Sequence, residues 1–217
     1  MIFCSYYSVN TKRSISDKPI SKGLKRVEEY HPFKLILILA MIGSSVIFLF
    51  TLIGYLASGE QFIVSDFNIP KAFILGTFVL LFSGFSVVPC VESFSFESFE
   101  RLWKSLSITL ILGAVFVICQ IFGWKEMFEA GAKMGESKSA TYLFILSGLH
   151  GLHFIVGLGF LGWITQQWFF RKKDPVKLLI AGTNPFEKLK LELITLYWHF
   201  LDITWIILFL FFLFFVY

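Results

Sequence analysis

The chain has 217 residues, 56% of them hydrophobic and only 16% charged, with 28 Phe and a mean hydropathy of +0.75. A soluble domain is nearer roughly 45–50% apolar and 25% charged, so the excess excludes a soluble core and points to an integral membrane protein, read here as one membrane domain. The formal net charge of +4 comes without a basic strip interleaved with aromatics, so nucleic acid is a poor partner.

Residues 1–31 are polar and basic. They lack the apolar run and small-residue cleavage site of a secretory signal, so the expectation is a retained cytoplasmic N-terminal segment ahead of a membrane domain over 32–217. Five apolar stretches follow, each near the roughly 20 residues a helix needs to cross a bilayer. They run from about Phe33 to Ala57, Ala72 to Val91, Trp103 to Gly123, Thr141 to Phe170 and Leu193 to Tyr217. Spans of this length must be helical, because hydrocarbon offers no water to backbone groups. The fold class is therefore all-α, a bundle of five transmembrane helices.

The connections carry turn signals. "SGEQFIVSDFNIPK" places Pro70 at a helix start, and "RKKDPVKLLIAGTNPFEKLK" reads as a polar connection with Pro175 and "NP" as breakers. With the N-terminus inside, 15 of the Lys and Arg residues fall on the inner side and 4 on the outer. That bias predicts N-in/C-out. Cys4, Cys90 and Cys119 are far apart and odd in number, which excludes a CxxC site and a disulfide framework and leaves small apolar fillers.

Ionisable groups at bilayer depth cost about 2.5–3.5 kcal/mol for Asp, Lys or Arg at a helix centre, and here they are few. "SGLHGLHFIVGLGF" places His150 and His153 one turn apart around Gly151. "ELITLYWHFLDITW" brings Glu192, then His199 and Asp202. Trp198, His199, Asp202 and Trp205 share one helical stripe that faces protein or lipid headgroups. A metal or haem site from three histidines is the sharp alternative. Counted from the inner ends at about 1.5 Å per residue, His199 lies about 9 Å up its span and His153 about 20 Å up its own. That separation argues against a shared ion, and two histidines alone fall short of a zinc site. Gly148, Gly151, Gly157, Gly159 and Gly162 suggest a helix built for close approach, with imidazoles bonded to neighbours. Asp202 needs a partner at this depth, and His199, three residues earlier, is the nearest candidate. A proton relay through the pair stays open.

"LSGLHGLHFIVG" (146–157) followed about 40 residues later by "YWHFLDITWIILF" (197–209) closely resembles subunit III of haem-copper terminal oxidases, whose spans read GxHGLHxxxG and YWHFxDxxW. Gln120, Trp124, Gly131 and Glu192 match further points of the pattern, and the resemblance covers roughly 32–217. It implies an accessory subunit of a cytochrome c oxidase, or alternatively a quinol oxidase, in the bacterial inner membrane. No catalytic residue, metal or cofactor is expected in this chain, since haem and copper belong to subunits I and II. The resemblance further implies packing on subunit I, a V-shaped cleft holding phospholipids, and support of proton uptake and of the catalytic subunit's stability. Other respiratory complexes are further candidate partners. Glu192, Trp198, His199 and Asp202 map beside the lipid cleft, and His150, Gly151 and His153 become helix-packing residues. Phe78 stands where seven-helix members place a buried glutamate, which puts any role of that carboxylate in doubt. A small proton-coupled transporter using His199 and Asp202 is the reading from another class.

Overall fold

The computed structural model describes residues 32–57, 70–131 and 138–216, without the side chains of 138, 139, 215 and 216. The N-terminal segment 1–31 lies outside the described residues. The packing below is that within residues 37–217.

The described residues form α1 (Pro32–Ala57), α2 (Lys71–Val87), α3 (Pro89–Ser95), α4 (Phe99–Glu129), α5 (Lys138–Arg171), α6 (Pro175–Thr183) and α7 (Pro185–Val216). Among the described residues, five helical stretches are long and apolar enough to cross a membrane: α1, α2 with α3, α4, α5 and α7. Each contains or closely matches an expected span. The helices overrun the apolar windows at their polar ends, because hydropathy marks only the length that lipid can cover. Beyond it the helices continue on polar contacts. Glu100 pairs with Lys104 at 3.5 Å and Lys125 with Glu129 at 3.7 Å, both at i,i+4 spacing.

Two prolines behave differently from the expectation. Pro175 and Pro185, read as breakers inside a connection, each open a helix. Proline lacks an N–H that the first helical turn would leave unpaired anyway. Asp174 caps α6, its carboxylate accepting from the backbone N–H groups of Val176 and Lys177 at 3.1 and 3.4 Å. Those donors, Lys177's foremost, hold the Asp174 carboxyl below the usual carboxylate range. Asn184 Oδ1 likewise accepts from the Phe186 N–H at 2.9 Å. α7 thus starts eight residues before its apolar stretch.

Pro89 divides the second span into α2 and α3. Beside the break, the Ser105 hydroxyl of α4 donates to the Ser86 carbonyl, and Ser86 Oγ lies 2.7 Å from Thr109 Oγ1. α3 ends with Glu97 at φ 54°, where the Ser98 N–H reaches the Ser93 carbonyl and the Glu97 N–H the Phe94 carbonyl. That is a Schellman cap, a motif more often closed by glycine.

α2 packs most extensively on α4, α5 joins α4 to α7, and α7 also packs on α2 and α3. Trp168, Trp198, Trp205, Phe116 and Phe154 are among the largest fully buried side chains. α1 buries only Ser44, Phe48 and Tyr55, a single stripe. The expectation that five glycines make α5 a close-packing helix is met at Gly157, where an added Cβ would come 2.9 Å from both Leu201 and Tyr197. Gly148 and Gly159 have nothing within 4 Å of that position, and at Gly151 and Gly162 the contact would be ordinary. The tightest site is on α4 instead, where the Phe73 ring occupies the space a Gly123 side chain would need.

Gly123→Ala is therefore expected to lower stability in detergent by about 1–3 kcal/mol through overpacking. Gly148→Ala should be neutral or slightly stabilising, since alanine gains up to about 1 kcal/mol of helix propensity. Thermal unfolding of both variants checks this, and equal melting temperatures would contradict it.

Candidate functional site

The polar side chains of the membrane interior meet where α7 crosses α2 and α5. The α7 stripe docks antiparallel onto hydroxyl groups of α2. Trp198 donates its indole N–H to Ser83 Oγ at 3.0 Å, and Trp205 donates to Thr77 Oγ1 at 3.0 Å. Both indoles are fully buried, where an unpaired N–H would cost about 1–3 kcal/mol. Phe73 and Phe116 meet the Trp205 ring edge-on at 5.9 and 5.2 Å, so each tryptophan supplies apolar area and one directed bond.

Between the two tryptophans, Asp202 is buried against Gly84. A Cβ at Gly84 would overlap Asp202 Oδ2, so the missing side chain makes room for the carboxylate. His199 Nδ1 lies 3.7 Å from Asp202 Oδ2, within electrostatic reach but too long for a hydrogen bond. Asp202 Oδ1 has no hydrogen-bond partner among the described residues. His199 keeps 41% of its side chain exposed, so the pair runs from the buried seam to the exposed surface. Glu192 lies about two turns earlier on α7 and is half-buried.

The two α5 histidines do not act as a pair. His153 faces α1, with Nε2 3.0 Å from Ser44 Oγ and Nδ1 2.8 Å from the Leu149 carbonyl. A carbonyl only accepts, so Nδ1 carries the proton and in the neutral ring Nε2 accepts from the serine hydroxyl. His150 is completely buried among Phe116, Phe154 and Trp205, at ring centroid distances of 6.1, 6.1 and 5.2 Å. Neither of its nitrogens has a hydrogen-bond partner among the described residues. The expectation of bonded imidazoles thus describes His153 and not His150.

His153 and His199 do not stand at the different depths expected of them. Tyr197 donates its hydroxyl to the His153 carbonyl at 3.1 Å, so residues 197–199 of α7 and 153 of α5 lie close in level. The inner reference at Leu193 was too high, because α7 begins at Pro185. Direction, and not depth, separates the histidines. His153 turns to α1, His150 to the α4–α7 aromatics, and His199 to Asp202. Among the described residues no three His, Cys, Asp or Glu side chains gather as a metal site requires.

Two apolar crevices open beside this seam. One, of about 290 Å³, lies between α1 and α7 and is lined by Ser45, Phe48, Leu49, Leu52, Thr204, Ile207 and Leu208. Ser45 and Thr204 spend their hydroxyls on their own helices, bonding the Met41 and Phe200 carbonyls, which leaves the walls apolar. The other, about 350 Å³, lies between α4 and α5 around Phe116, Gln120, Trp124, Gly148 and Gly151. Trp124 there donates to Ser147 Oγ at 3.1 Å.

The family model described as cytochrome c oxidase subunit III matches residues 37–217. The chain belongs to the cytochrome c oxidase subunit III family. Quinol oxidase subunit 3 of Bacillus subtilis (strain 168) is 35% identical over 133 residues, 61% of this chain and 60% of that protein. Cytochrome c oxidase subunit 3 of Bacillus sp. (strain PS3) is 29% identical over 172 residues, 77% of this chain and 78% of that one. Cytochrome c oxidase subunit 3 of Loxodonta africana is 31% identical over 137 residues, 63% of this chain and 48% of the relative. The matched stretch spans about 60% of the length of the first quinol oxidase relatives.

That Thr77, Ser83, Gly84 and Ser44 partner the motif residues was not expected from the sequence. Their signal was present. Gly76, Thr77, Ser83 and Gly84 are among the small or hydroxyl residues of a mostly apolar helix, the type that lines helix contacts in lipid.

Ser83→Ala strands the Trp198 indole N–H and is expected to cost about 1–3 kcal/mol. In the Ser83→Ala, Trp198→Phe double variant neither partner is left unpaired, so the combined loss should fall short of the sum. A double-mutant cycle by chemical unfolding in detergent measures it; strict additivity would mean that the bond contributes nothing.

Proposed function

We propose that this chain is the accessory subunit III of a respiratory haem-copper terminal oxidase. It sits N-in/C-out in the bacterial inner membrane, packs on subunit I, and has no redox centre of its own. Haem and copper reside in subunits I and II. The observation carrying this reading is that the family's motif side chains are engaged in interhelical packing. Trp198 and Trp205 bond α2 hydroxyls, His153 bonds Ser44 of α1, and His150 sits in an aromatic cage. A polar group in hydrocarbon adds typically about 0.6 kcal/mol and up to about 2 when bonded to a neighbouring helix. Several such bonds set the register of helices that otherwise slide on apolar surfaces.

The subunit supports proton uptake by subunit I and its stability by holding phospholipid beside it. Glu192, Trp198, His199 and Asp202 serve lipid binding or the structure of α7, the fully buried Trp198 through its bond to Ser83. The half-exposed His199 offers a polar contact to lipid, and the α1–α7 crevice accepts an acyl chain. His150, Gly151 and His153 serve helix packing.

The electron donor is cytochrome c in the leading reading. A quinol donor is the second, favoured by the 35% identity to the quinol oxidase subunit 3 of Bacillus subtilis. Assaying the intact complex with reduced cytochrome c and with a quinol separates them. A proton-coupled transporter is the remaining alternative, and robust proton flux through vesicles holding this chain alone would favour it.

Purified by itself, the chain is expected to show no haem absorbance, while the solubilised complex shows haem together with this chain. His199→Ala or Asp202→Ala should weaken retention of the subunit or its lipids and leave the haem spectrum of the complex intact. Stoichiometric haem on the isolated chain would overturn the reading, as would loss of the haem signal from an otherwise assembled variant complex.

A further inference from the structure

α6 begins three residues after α5 ends and leads into α7 after one residue, so it cannot leave the surface level of the bundle. One side of it is fixed there. Ala181 is buried, and Gly182 lies under the Phe99 ring, where an added Cβ would come 2.5 Å from Cζ. Phe99 in turn stacks on the buried Trp168 at 5.7 Å.

The opposite side presents Val176, Leu179 and Ile180, exposed to 67%, 72% and 63%. At spacings of three and four they form one ridge. The ridge sits at the level of an aromatic belt, since Trp103 and Trp163 lie under the ammonium groups of Lys172 and Lys190 at 4.6 and 5.2 Å. Tryptophan at the ends of spanning helices marks the headgroup level.

Charge decides the occupant. Residues 171–190 hold six basic and two acidic side chains, and both acids are engaged. Glu187 is clamped by Arg171 at 2.7 Å and Lys190 at 2.8 Å, while Asp174 caps α6 and lies 3.4 Å from Lys177. Among the acidic groups of the described residues, Lys172 reaches the exposed Glu100, at 3.4 Å. Lys173 lies over the Phe169 and Phe170 rings, and Lys177 is 72% exposed. An apolar ridge beside net positive charge at the headgroup level fits one surface, acyl chain below and phosphate above.

We infer that α6 is an interfacial anchor that inserts Val176, Leu179 and Ile180 into the leaflet and binds anionic glycerophospholipid through Lys172, Lys173 and Lys177. The inference needs only the five spanning helices and stands apart from the roles proposed for α7.

A fluorophore on Leu179→Cys of this chain, labelled with Cys4 replaced and Cys90 and Cys119 buried, tests it in the intact complex, read against the same complex carrying Leu179 and the Cys4 replacement. In vesicles of phosphatidylcholine and phosphatidylglycerol, nitroxide lipids should quench the label and aqueous iodide should not. Replacing Lys172, Lys173 and Lys177 by glutamine should lower the phosphatidylglycerol retained, relative to phosphatidylcholine, by at least about fivefold, the factor expected for one surface lysine. Quenching by iodide would place the ridge in water and overturn the inference. Quenching by neither would mean that a neighbouring subunit covers it, which also overturns it. Unchanged phosphatidylglycerol retention would remove the proposed headgroup contact.

Discussion

Hydrocarbon cannot satisfy a polar side chain, so each one in these helices must bond its own helix, find a partner on another, or bear the cost of having none. α7 carries the heaviest burden, and α2 answers it residue by residue. Ser83 takes the Trp198 indole, Thr77 takes the Trp205 indole, and Gly84 yields its side-chain volume to Asp202. The register of α7 on α2 follows, because a shift by one residue would strand two indole N–H groups and drive a carboxylate into a helix backbone. The other contacts are fitted around this seam. Tyr197 ties α7 to the His153 carbonyl, and Trp198 also lies against Phe154 of α5.

The five spanning helices were legible in the sequence because their warrant is length and apolarity, which a single chain displays in full. Helix ends were less legible. Leu193 looked like the start of α7 because hydropathy rises there, yet helical bonding begins at Pro185, and that difference undid the depth comparison of His153 with His199. α6 was hidden for a related reason. Its nine residues are bounded by Pro175 and Asn184, residues that mark turns as readily as helix starts, and its apolar face is too short to register as a span. The division at Pro89 was also readable, since proline lacks the N–H of a helix interior.

The motif residues were legible as a stripe, but their partners were not. Spacing on one helix says which side chains share a face and nothing about which helix that face meets. His150 and His153 make the point, because at i,i+3 they look like a pair and yet turn toward different neighbours. His150, with no hydrogen-bond partner among the described residues, is held by three aromatic rings, an arrangement no pattern of its own helix announces.

In the proposed function, the buried imidazoles, indoles and carboxylate serve helix contacts and lipid, and electron transfer belongs to neighbouring subunits. The most direct measurement is the location of iron and copper by anomalous scattering in crystals of the intact oxidase. Every metal peak should fall on partner subunits, with His150, His153 and His199 in the contacts described above. A peak bonded to any of these three histidines would contradict that division of labour.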